Sequence, residues 1–270
     1  MNIEKNFNIA KNAIKLAGVK VLNFYGKLKN TKYKQNNSPL TQADLASNRI
    51  LLKRLKISGI PVLSEEGQDD LSRLNSDKIW IIDPLDGTKD FIQESGEFTI
   101  MIALVEKNVN NFYRPILGLI YQPVKKILYY ATKDRGAWQE LDDKQTAMRV
   151  SRRADWSDVI MLTSRNHSTD IEKNLALDTG INKIKVFGSS LKACLVACGE
   201  GDFNFNPAPH TWEWDVCASD LIVYEAGGRF SDCRGDLINY NKKDPRNNNG
   251  YLASNVLVYE KVINRIKLCK

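Results

Sequence analysis

One apolar run that ends in a concentration of charge constrains the fold more than any other segment. Residues Ile79–Ile82 (IWII) are typical of a buried strand and lead directly into the segment Asp83–Phe91 (DPLDGTKDF). The chain leaves this strand at one carboxylate, turns through Pro and Gly, and presents a second carboxylate three residues later. The pattern predicts a strand that ends at a polar edge of a sheet, followed by a turn at which a helix can begin.

The same segment indicates that a cation and a phosphate group bind there. Two carboxylates this close repel each other unless positive charge lies between them, and a hard divalent cation such as Mg²⁺ binds through oxygen. Gly87 and Thr88 add backbone N–H groups and a hydroxyl suited to a phosphate. The pattern favours metal-assisted attack on a phosphate ester, although Asp-Gly and Asp-Pro are also ordinary turn signals.

Composition excludes several other classes of protein. With 270 residues, 43% hydrophobic and 26% charged, the chain fits one large globular domain or two close-packed ones. The polar N-terminus and the lack of a membrane-spanning apolar run predict a soluble, cytoplasmic protein. Five cysteines without paired spacing and only two histidines argue against zinc, and the scarcity of histidine also argues against a Ser-His or Cys-His nucleophile. The oligomeric state does not follow from the sequence.

The formal net charge of +7 has several interpretations. Nucleic-acid binding is disfavoured, because the lysines are spread over the chain without a long basic run. The densest group lies in the loop 26–37, which is either an ordinary solvated loop or a mobile loop that attracts a multiply charged anion. Peripheral contact with the cytoplasmic face of an inner membrane stays open, although no amphipathic anchor stands out.

Apolar spacing predicts an α+β chain with two subdomains. Amphipathic helices are expected over residues 3–24 and 41–56, the second with a capping box formed by Thr41 and Asp44. The β-rich runs that follow, Pro61–Ser64, Ile79–Asp83, Phe98–Val105, Ile116–Tyr121, Ile127–Ala131 and Gly136–Gln139, predict a sheet layered on these helices. From about residue 150, shorter strands and helices alternate, so the predicted subdomains are 1–145 and 146–270.

Three further acids extend the pattern. Glu65 ends a short strand and is predicted to reach the same cation as Asp83, whereas the plainer alternative is a solvated turn. Asp215 lies at the start of a helical pattern and by itself fits a helix cap. Asp44 also fits a cap, but its carboxylate could accept a hydrogen bond from the Thr88 hydroxyl, which would orient an attacking water.

Taken together, these motifs resemble the lithium-sensitive, magnesium-dependent phosphatases of the inositol monophosphatase superfamily. The matching segments are DPLDGT at 83–88, the upstream Glu65-Glu66 pair, and WDVCA at 214–218. The resemblance implies a layered α/β/α/β/α fold with the active site between the two subdomains. It also implies Mg²⁺, two or three ions, as the cofactor. The implied metal ligands are Glu65, Asp83, the main-chain carbonyl of Leu85, Asp86 and Asp215, and the implied water-activating pair is Asp44 and Thr88.

Within the superfamily, the chain is most similar to the 3′(2′),5′-bisphosphate nucleotidase branch, which removes the 3′-phosphate of adenosine 3′,5′-bisphosphate. The features that carry this similarity are GTKDF at 87–91, SPLTQAD at 38–44, SRNH at 164–167 and GSSLK at 188–192. The resemblance implies substrate contacts from Gly87, Thr88, Lys89, Arg165, His167, Ser189, Lys192 and Asp215. A lysine and a serine at a helix N-terminus suit a second phosphate, although Lys192 also fits a solvated position and Arg165 a structural ion pair.

One departure leaves the substrate open. The branch usually has arginine where this chain has Asn206, and inositol phosphatases tend to have an acid, so a bidentate phosphate contact is missing. The alternatives are an inositol phosphate or fructose 1,6-bisphosphate in the same site. An alternative of another class is a non-catalytic nucleic-acid-binding or regulatory protein, but the intact set of acids argues against it.

Overall fold

Two β-sheets separate the helices into three layers. The computed structural model describes residues 3–27, 32–33, 39–166, 169–209 and 211–268. The α-helices of these residues are α1 (Ile3–Leu22), α2 (Gln42–Leu55), α3 (Thr88–Ile92), α4 (Asp170–Thr179), α5 (Leu191–Ala197), α6 (Glu213–Glu225) and α7 (Val256–Leu268), with short 3-10 turns at Lys56–Ser58 and Ser72–Asn75.

The first sheet has seven strands in chain order. They are Val62–Ser64, Lys78–Asp86, Thr99–Lys107, Tyr113–Gln122, Ile127–Thr132, Ala137–Leu141 and Lys144–Ala147. Only the first two strands pair in parallel; every later neighbour is antiparallel. The strand Lys78–Asp86 is almost entirely buried because apolar layers cover both of its faces, which explains its unbroken hydrophobic run.

The second sheet has five strands and mixes both directions. Its order in space is Lys183–Phe187, Ile160–Ser164, Phe203–Asn206, Tyr251–Ser254 and Arg229–Ser231. The first two pairings are parallel and the last two antiparallel. Two short antiparallel pairs lie outside these sheets, Lys32–Tyr33 with Pro39–Leu40 and Thr211–Trp212 with Arg246–Asn247.

The layers follow from three apolar clusters. One joins α1 and α2 to one face of the first sheet, and another joins the opposite face, through α5 and α6, to the second sheet. The third packs α4 and α7 on the outer face of the second sheet. The order of layers is therefore α/β/α/β/α, which confirms the predicted fold class. No helix among the described residues is long and apolar enough to cross a membrane.

Most predicted elements are present with shifted ends, and the region near residue 145 differs from the expectation. Asp142 and Asp143 form a tight hairpin turn, in which they adopt positive φ angles of 48° and 62°. The strand Lys144–Ala147 follows it, so the predicted boundary between residues 145 and 146 falls inside a strand. The division into two subdomains stays a prediction. Most of the loop 26–37 lies outside the described residues.

Candidate active site

The parallel pairing of two strands places Glu65 beside Asp83. Ser64 is the register partner of Ile82, and the Glu65 N–H donates to the Ile82 carbonyl at 3.3 Å. The Asn48 side chain, on α2, fixes the following turn by donating to the Glu66 carbonyl at 3.0 Å. Glu65 is thus held at the strand end, directly next to the first carboxylate of the Asp83–Phe91 segment.

A local irregularity lets both carboxylates of this segment leave the strand together. The antiparallel register with the next strand shifts between Asp83 and Asp86. The Asp83 carboxylate accepts the Leu85 N–H at 2.9 Å, and the Ser47 hydroxyl on α2 donates to the Pro84 carbonyl at 2.7 Å. The turn is therefore held by its own carboxylate and by a helix packed beneath it.

Negative charge is concentrated around the buried Asp83. Burial raises the pKa of the Asp83 carboxyl well above its usual range, and the nearby charges of Glu65, Asp86 and Asp215 and a hydrogen bond with Glu65 raise it further. The acids predicted as metal ligands lie on three separate segments, and the other three act electrostatically on Asp83. The same described residues contain no group of three or more His, Cys, Asp or Glu side chains arranged as a ready-made metal centre, so their role as ligands stays a prediction.

The predicted water-activating pair forms a direct contact. The Thr88 hydroxyl, at the start of α3, donates to Asp44 Oδ1 at 3.2 Å and lies equally close to the Leu85 carbonyl. Asp44 is the third residue of α2, and its Oδ2 accepts the N–H and the hydroxyl of Thr41 at 2.7 and 2.5 Å. Burial raises the pKa of Asp44 to about 6, the Thr41 hydrogen bonds oppose this shift, and the Glu65 charge adds to it.

The chain leading into α5 lies against Asp86. The Ser190 N–H donates to Asp86 Oδ2 at 2.5 Å, and the Thr99 hydroxyl contacts the same oxygen at 3.3 Å. Burial raises the pKa of Asp86, and the Lys192 charge and the Ser190 hydrogen bond oppose that shift. Ser190 and Thr99 were not among the predicted site residues. The GSSLK segment could have indicated Ser190, whereas Thr99 depends on an irregular register that the sequence does not reveal.

Lys192 is an interior lysine rather than a solvated one. Its side chain is 6% exposed, and its ammonium donates to the Ser189 carbonyl at 2.6 Å. Burial lowers the pKa of Lys192, and the charges of the surrounding acids, Asp86 first among them, oppose this shift. Ser189 itself adopts a positive φ of 50°. Lys192 therefore balances the charge of a proposed metal ligand from within the protein.

Gly87 lets the turn and α5 approach each other closely. Its φ is 86°, and a Cβ built at this position would lie 3.0 Å from the Ser189 Cβ and 3.4 Å from the Glu97 carbonyl oxygen. A side chain at Gly87 would be strained by its backbone conformation and by this crowding. Both Gly87 and Ser189, predicted as substrate-binding residues, border the same space.

Asp215 is the third residue of α6, and its Oδ2 accepts the Trp212 N–H at 2.7 Å. It therefore serves as the helix cap that its sequence context suggested, while its charge also acts on Asp83. An acid in the first helical turn is stabilised by the helix dipole. The position of Asp215 is thus compatible both with a helix cap and with the predicted metal ligand.

The remaining predicted substrate residues lie in other surroundings. The Arg165 guanidinium forms ion pairs with Glu97 at 2.7 Å and with Asp90 at 3.3 Å, the structural arrangement considered as its alternative. Lys89 is exposed on α3. His167 lies outside the described residues. The Asn206 side chain accepts the Ala208 N–H at 3.0 Å, as in a local turn.

The donor set fits a hard divalent cation. The buried Asp83 carboxylate and the three carboxylates around it, with the Leu85 carbonyl beside them, are the kind of oxygen ligands that Mg²⁺ prefers. Like charges kept this close in the interior also require a counter-charge. These residues, Glu65, Asp83, Leu85, Asp86 and Asp215, could hold Mg²⁺ next to the hydrogen-bonded Thr88 and Asp44. Such a site can activate a water molecule for attack on the phosphorus atom of a phosphate ester.

Comparison with known proteins supports the same assignment. The model of the inositol monophosphatase family matches residues 2–268. The chain is 34% identical to the 3′(2′),5′-bisphosphate nucleotidase CysQ of Salmonella typhimurium, over 92% of this chain and 98% of that protein. It is 37% identical to CysQ of Buchnera aphidicola, over 88% and 89%. The crystal structure of CysQ from Bacteroides thetaiotaomicron, 35% identical, superimposes with a TM-score of 0.76 over 93% of this chain and 97% of that one.

Proposed function

The chain belongs to the inositol monophosphatase family, and we propose that it hydrolyses the 3′-phosphate of adenosine 3′,5′-bisphosphate to AMP and phosphate. Enzymes of this family are Mg²⁺-dependent phosphatases. Similarity to CysQ over most of the chain supports 3′(2′),5′-bisphosphate nucleotidase activity. We infer that two or three Mg²⁺ ions bind through Glu65, Asp83, the Leu85 carbonyl, Asp86 and Asp215.

One observation carries the catalytic part of this proposal. The Thr88 hydroxyl donates to Asp44 Oδ1 at 3.2 Å on the same turn as Asp83, whose carboxyl is surrounded by three other acids. A nucleophile-orienting pair and a set of oxygen ligands are therefore adjacent, although their members come from distant parts of the chain. A purely structural capping role for Asp44 would not require the threonine contact.

In this proposal, Thr88 and Asp44 take up the proton of the attacking water, and other groups hold the phosphate. Since the Thr88 hydroxyl donates its proton to Asp44, its oxygen is available to accept a proton from the attacking water. Asp44 can receive the relayed proton at Oδ1, and its raised pKa of about 6 suits a proton acceptor near neutral pH. When bound, Mg²⁺ polarises the phosphoryl oxygens and lowers the pKa of a water. Backbone N–H groups at the start of α3 are the proposed contacts of the phosphate.

The choice of substrate has support and one open point. Ser189 packs against Gly87, and the Ser190 N–H donates to Asp86, so the GSSLK segment borders the proposed reaction site. Position 206 is asparagine, whereas the nucleotidase branch usually has arginine there and inositol phosphatases tend to have an acid. The substrate contact expected at this position therefore differs from that of either branch. The second candidates are therefore an inositol phosphate and fructose 1,6-bisphosphate.

A panel of substrates tests the proposal. Purified protein is assayed for Mg²⁺-dependent phosphate release from adenosine 3′,5′-bisphosphate, inositol 1-phosphate and fructose 1,6-bisphosphate, with and without Li⁺. We expect the highest kcat/KM for the nucleotide and inhibition by Li⁺. A clear preference for inositol 1-phosphate would transfer the assignment to the second candidates. Salt-sensitive binding of RNA without any phosphate release would instead indicate the non-catalytic alternative.

A further inference from the structure

The interior contains an arginine that the proposed reaction does not use. Arg73 is 2% exposed and follows Glu65 by eight residues. Its guanidinium donates to both carboxylate oxygens of Asp69, with its closest contact from Nη2 at 2.7 Å. The same group donates to Asn241 Oδ1 at 2.5 Å and to the Lys242 carbonyl at 2.9 Å. A buried guanidinium with a bidentate carboxylate partner is a strong, geometrically specific interaction.

A buried glutamate holds the same two residues from the other side. Glu213 is fully buried and begins α6. Its two carboxylate oxygens accept the N–H groups of Asn241 and Lys242 at 2.8 and 2.9 Å, and the Lys242 ammonium lies 3.9 Å away. Glu213 therefore holds the segment 241–242 through its two backbone N–H groups, and Arg73 holds it through the Asn241 side chain and the Lys242 carbonyl.

These contacts connect two distant ends of the proposed metal site. Asp69 and Arg73 continue the loop that Glu65 begins, and Glu213 precedes Asp215 by two residues on α6. The hydrogen bonds of Arg73 and Glu213 to residues 241 and 242 therefore join the loop that carries Glu65 to the helix that carries Asp215. Without this connection, the mutual repulsion of two carboxylates at one cation site would favour separation of the loop from the helix.

We propose that Arg73, through Asn241 and Glu213, is a positioning residue that holds the Glu65 loop and the start of α6 at the spacing needed to bind Mg²⁺. The set Asp69, Arg73, Asn241, Lys242 and Glu213 is called the interior clasp. Groups that only orient metal ligands commonly change metal affinity by 10–100-fold when removed. The inference rests on the proposed metal ligands, but it does not depend on the identity of the substrate.

The test compares Arg73→Met with a matched control. Arg114→Met removes a second arginine whose Nη2 pairs at 2.7 Å with the buried Asp220, also on α6, but whose partners do not include the Glu65 loop. Mg²⁺ binding is measured by isothermal titration calorimetry without substrate, and kcat and KM are measured at saturating Mg²⁺. Circular dichroism establishes that each variant is folded.

We expect Arg73→Met to raise the Kd for Mg²⁺ by roughly tenfold, while kcat at saturating Mg²⁺ stays within about threefold of the original value. Arg114→Met should keep the original Kd. If Arg73→Met fails to fold, Asn241→Ala, which removes the Nη1 acceptor and retains every charge, takes its place with a smaller increase in Kd. An unchanged Kd in the folded variant, or an equal change in Arg114→Met, would overturn the proposal. Because calorimetry needs no substrate, failure of the nucleotidase assignment would leave this result interpretable.

Discussion

At the residue scale, Asp44 has two roles that can be separated by experiment. It caps α2 through Thr41, and it accepts the hydroxyl proton of Thr88. Asp44→Asn retains the shape of the side chain but removes the proton acceptor. We expect kcat to fall by about 10²–10⁴ with little change in KM, measured by phosphate release under saturating Mg²⁺. A variant with nearly full kcat would show that Asp44 is only a helix cap.

The raised pKa of Asp44 predicts that the stability of the metal-free protein depends on pH, and the same substitution tests this. The pKa of Asp44 is raised from 3.8 to about 6, so the folded state disfavours its charged form. The resulting decrease in the free energy of unfolding is absent below about pH 4, grows as pH rises, and is complete above about pH 6. Between these limits the original protein should lose on the order of 3 kcal/mol relative to Asp44→Asn. Urea unfolding at pH 4 and 7 in EDTA measures this difference, and a constant difference would contradict the raised pKa.

Two lysines that were predicted to contact the substrate should respond differently to loss of their charge. Lys192 is buried beside Asp86 and Lys89 is exposed on α3. Lys192→Met removes the interior positive charge that offsets the Asp86 carboxylate, so we expect lower stability together with lower activity. Lys89→Met should leave the free energy of unfolding unchanged and only raise KM. Urea unfolding and steady-state kinetics of both variants provide the comparison.

At the scale of elements, the sequence predicted individual helices and strands better than the pairing and contacts between them. The unbroken apolar run at 79–82 identified a strand buried on both faces, and the capping box of Thr41 and Asp44 fixed the start of α2. The strand Lys144–Ala147 was missed because its four residues are all exposed and carry no apolar alternation. Thr99 reaches Asp86 only through the register shift in the strand that ends at the site. Such contacts depend on pairing between strands, which local patterns do not encode.

The turn before α3 gives a prediction with a close control. Gly87→Ala and Gly59→Ala both place a side chain at a positive φ, 86° and 72° respectively, but only Gly87 has neighbours within 4 Å. Each substitution should cost about 1–2 kcal/mol through the left-handed backbone alone, and Gly87→Ala should cost more because of Ser189. Only Gly87→Ala should lower kcat, since it displaces Thr88. Equal losses of activity in both variants would show that general destabilisation is the cause.

At the scale of the whole molecule, the proposed site joins the first sheet to two helical layers. Glu65, Asp83 and Asp86 leave the first sheet, Asp44 comes from the outer helical layer, and Asp215 and Lys192 come from the central one. Sequence motifs identified most of these residues because each lies in a distinctive local pattern. The interior clasp was not predicted, since Arg73, Asn241 and Glu213 look like ordinary surface residues in a linear sequence. Their burial follows only from the way α6 and two loops meet.

Convergence of the acids predicts how the whole protein responds to metal. Without a cation, the charges around Asp83 oppose folding, so Mg²⁺ should raise the melting temperature in proportion to its binding free energy. Asp83→Asn removes the central acid. We expect this variant to be at least as stable as the original protein in EDTA, to gain little from Mg²⁺, and to have almost no phosphatase activity. Thermal unfolding with and without Mg²⁺ measures both effects. A full Mg²⁺-induced shift in Asp83→Asn would place the cation elsewhere, because the central ligand of the proposed site would then be dispensable.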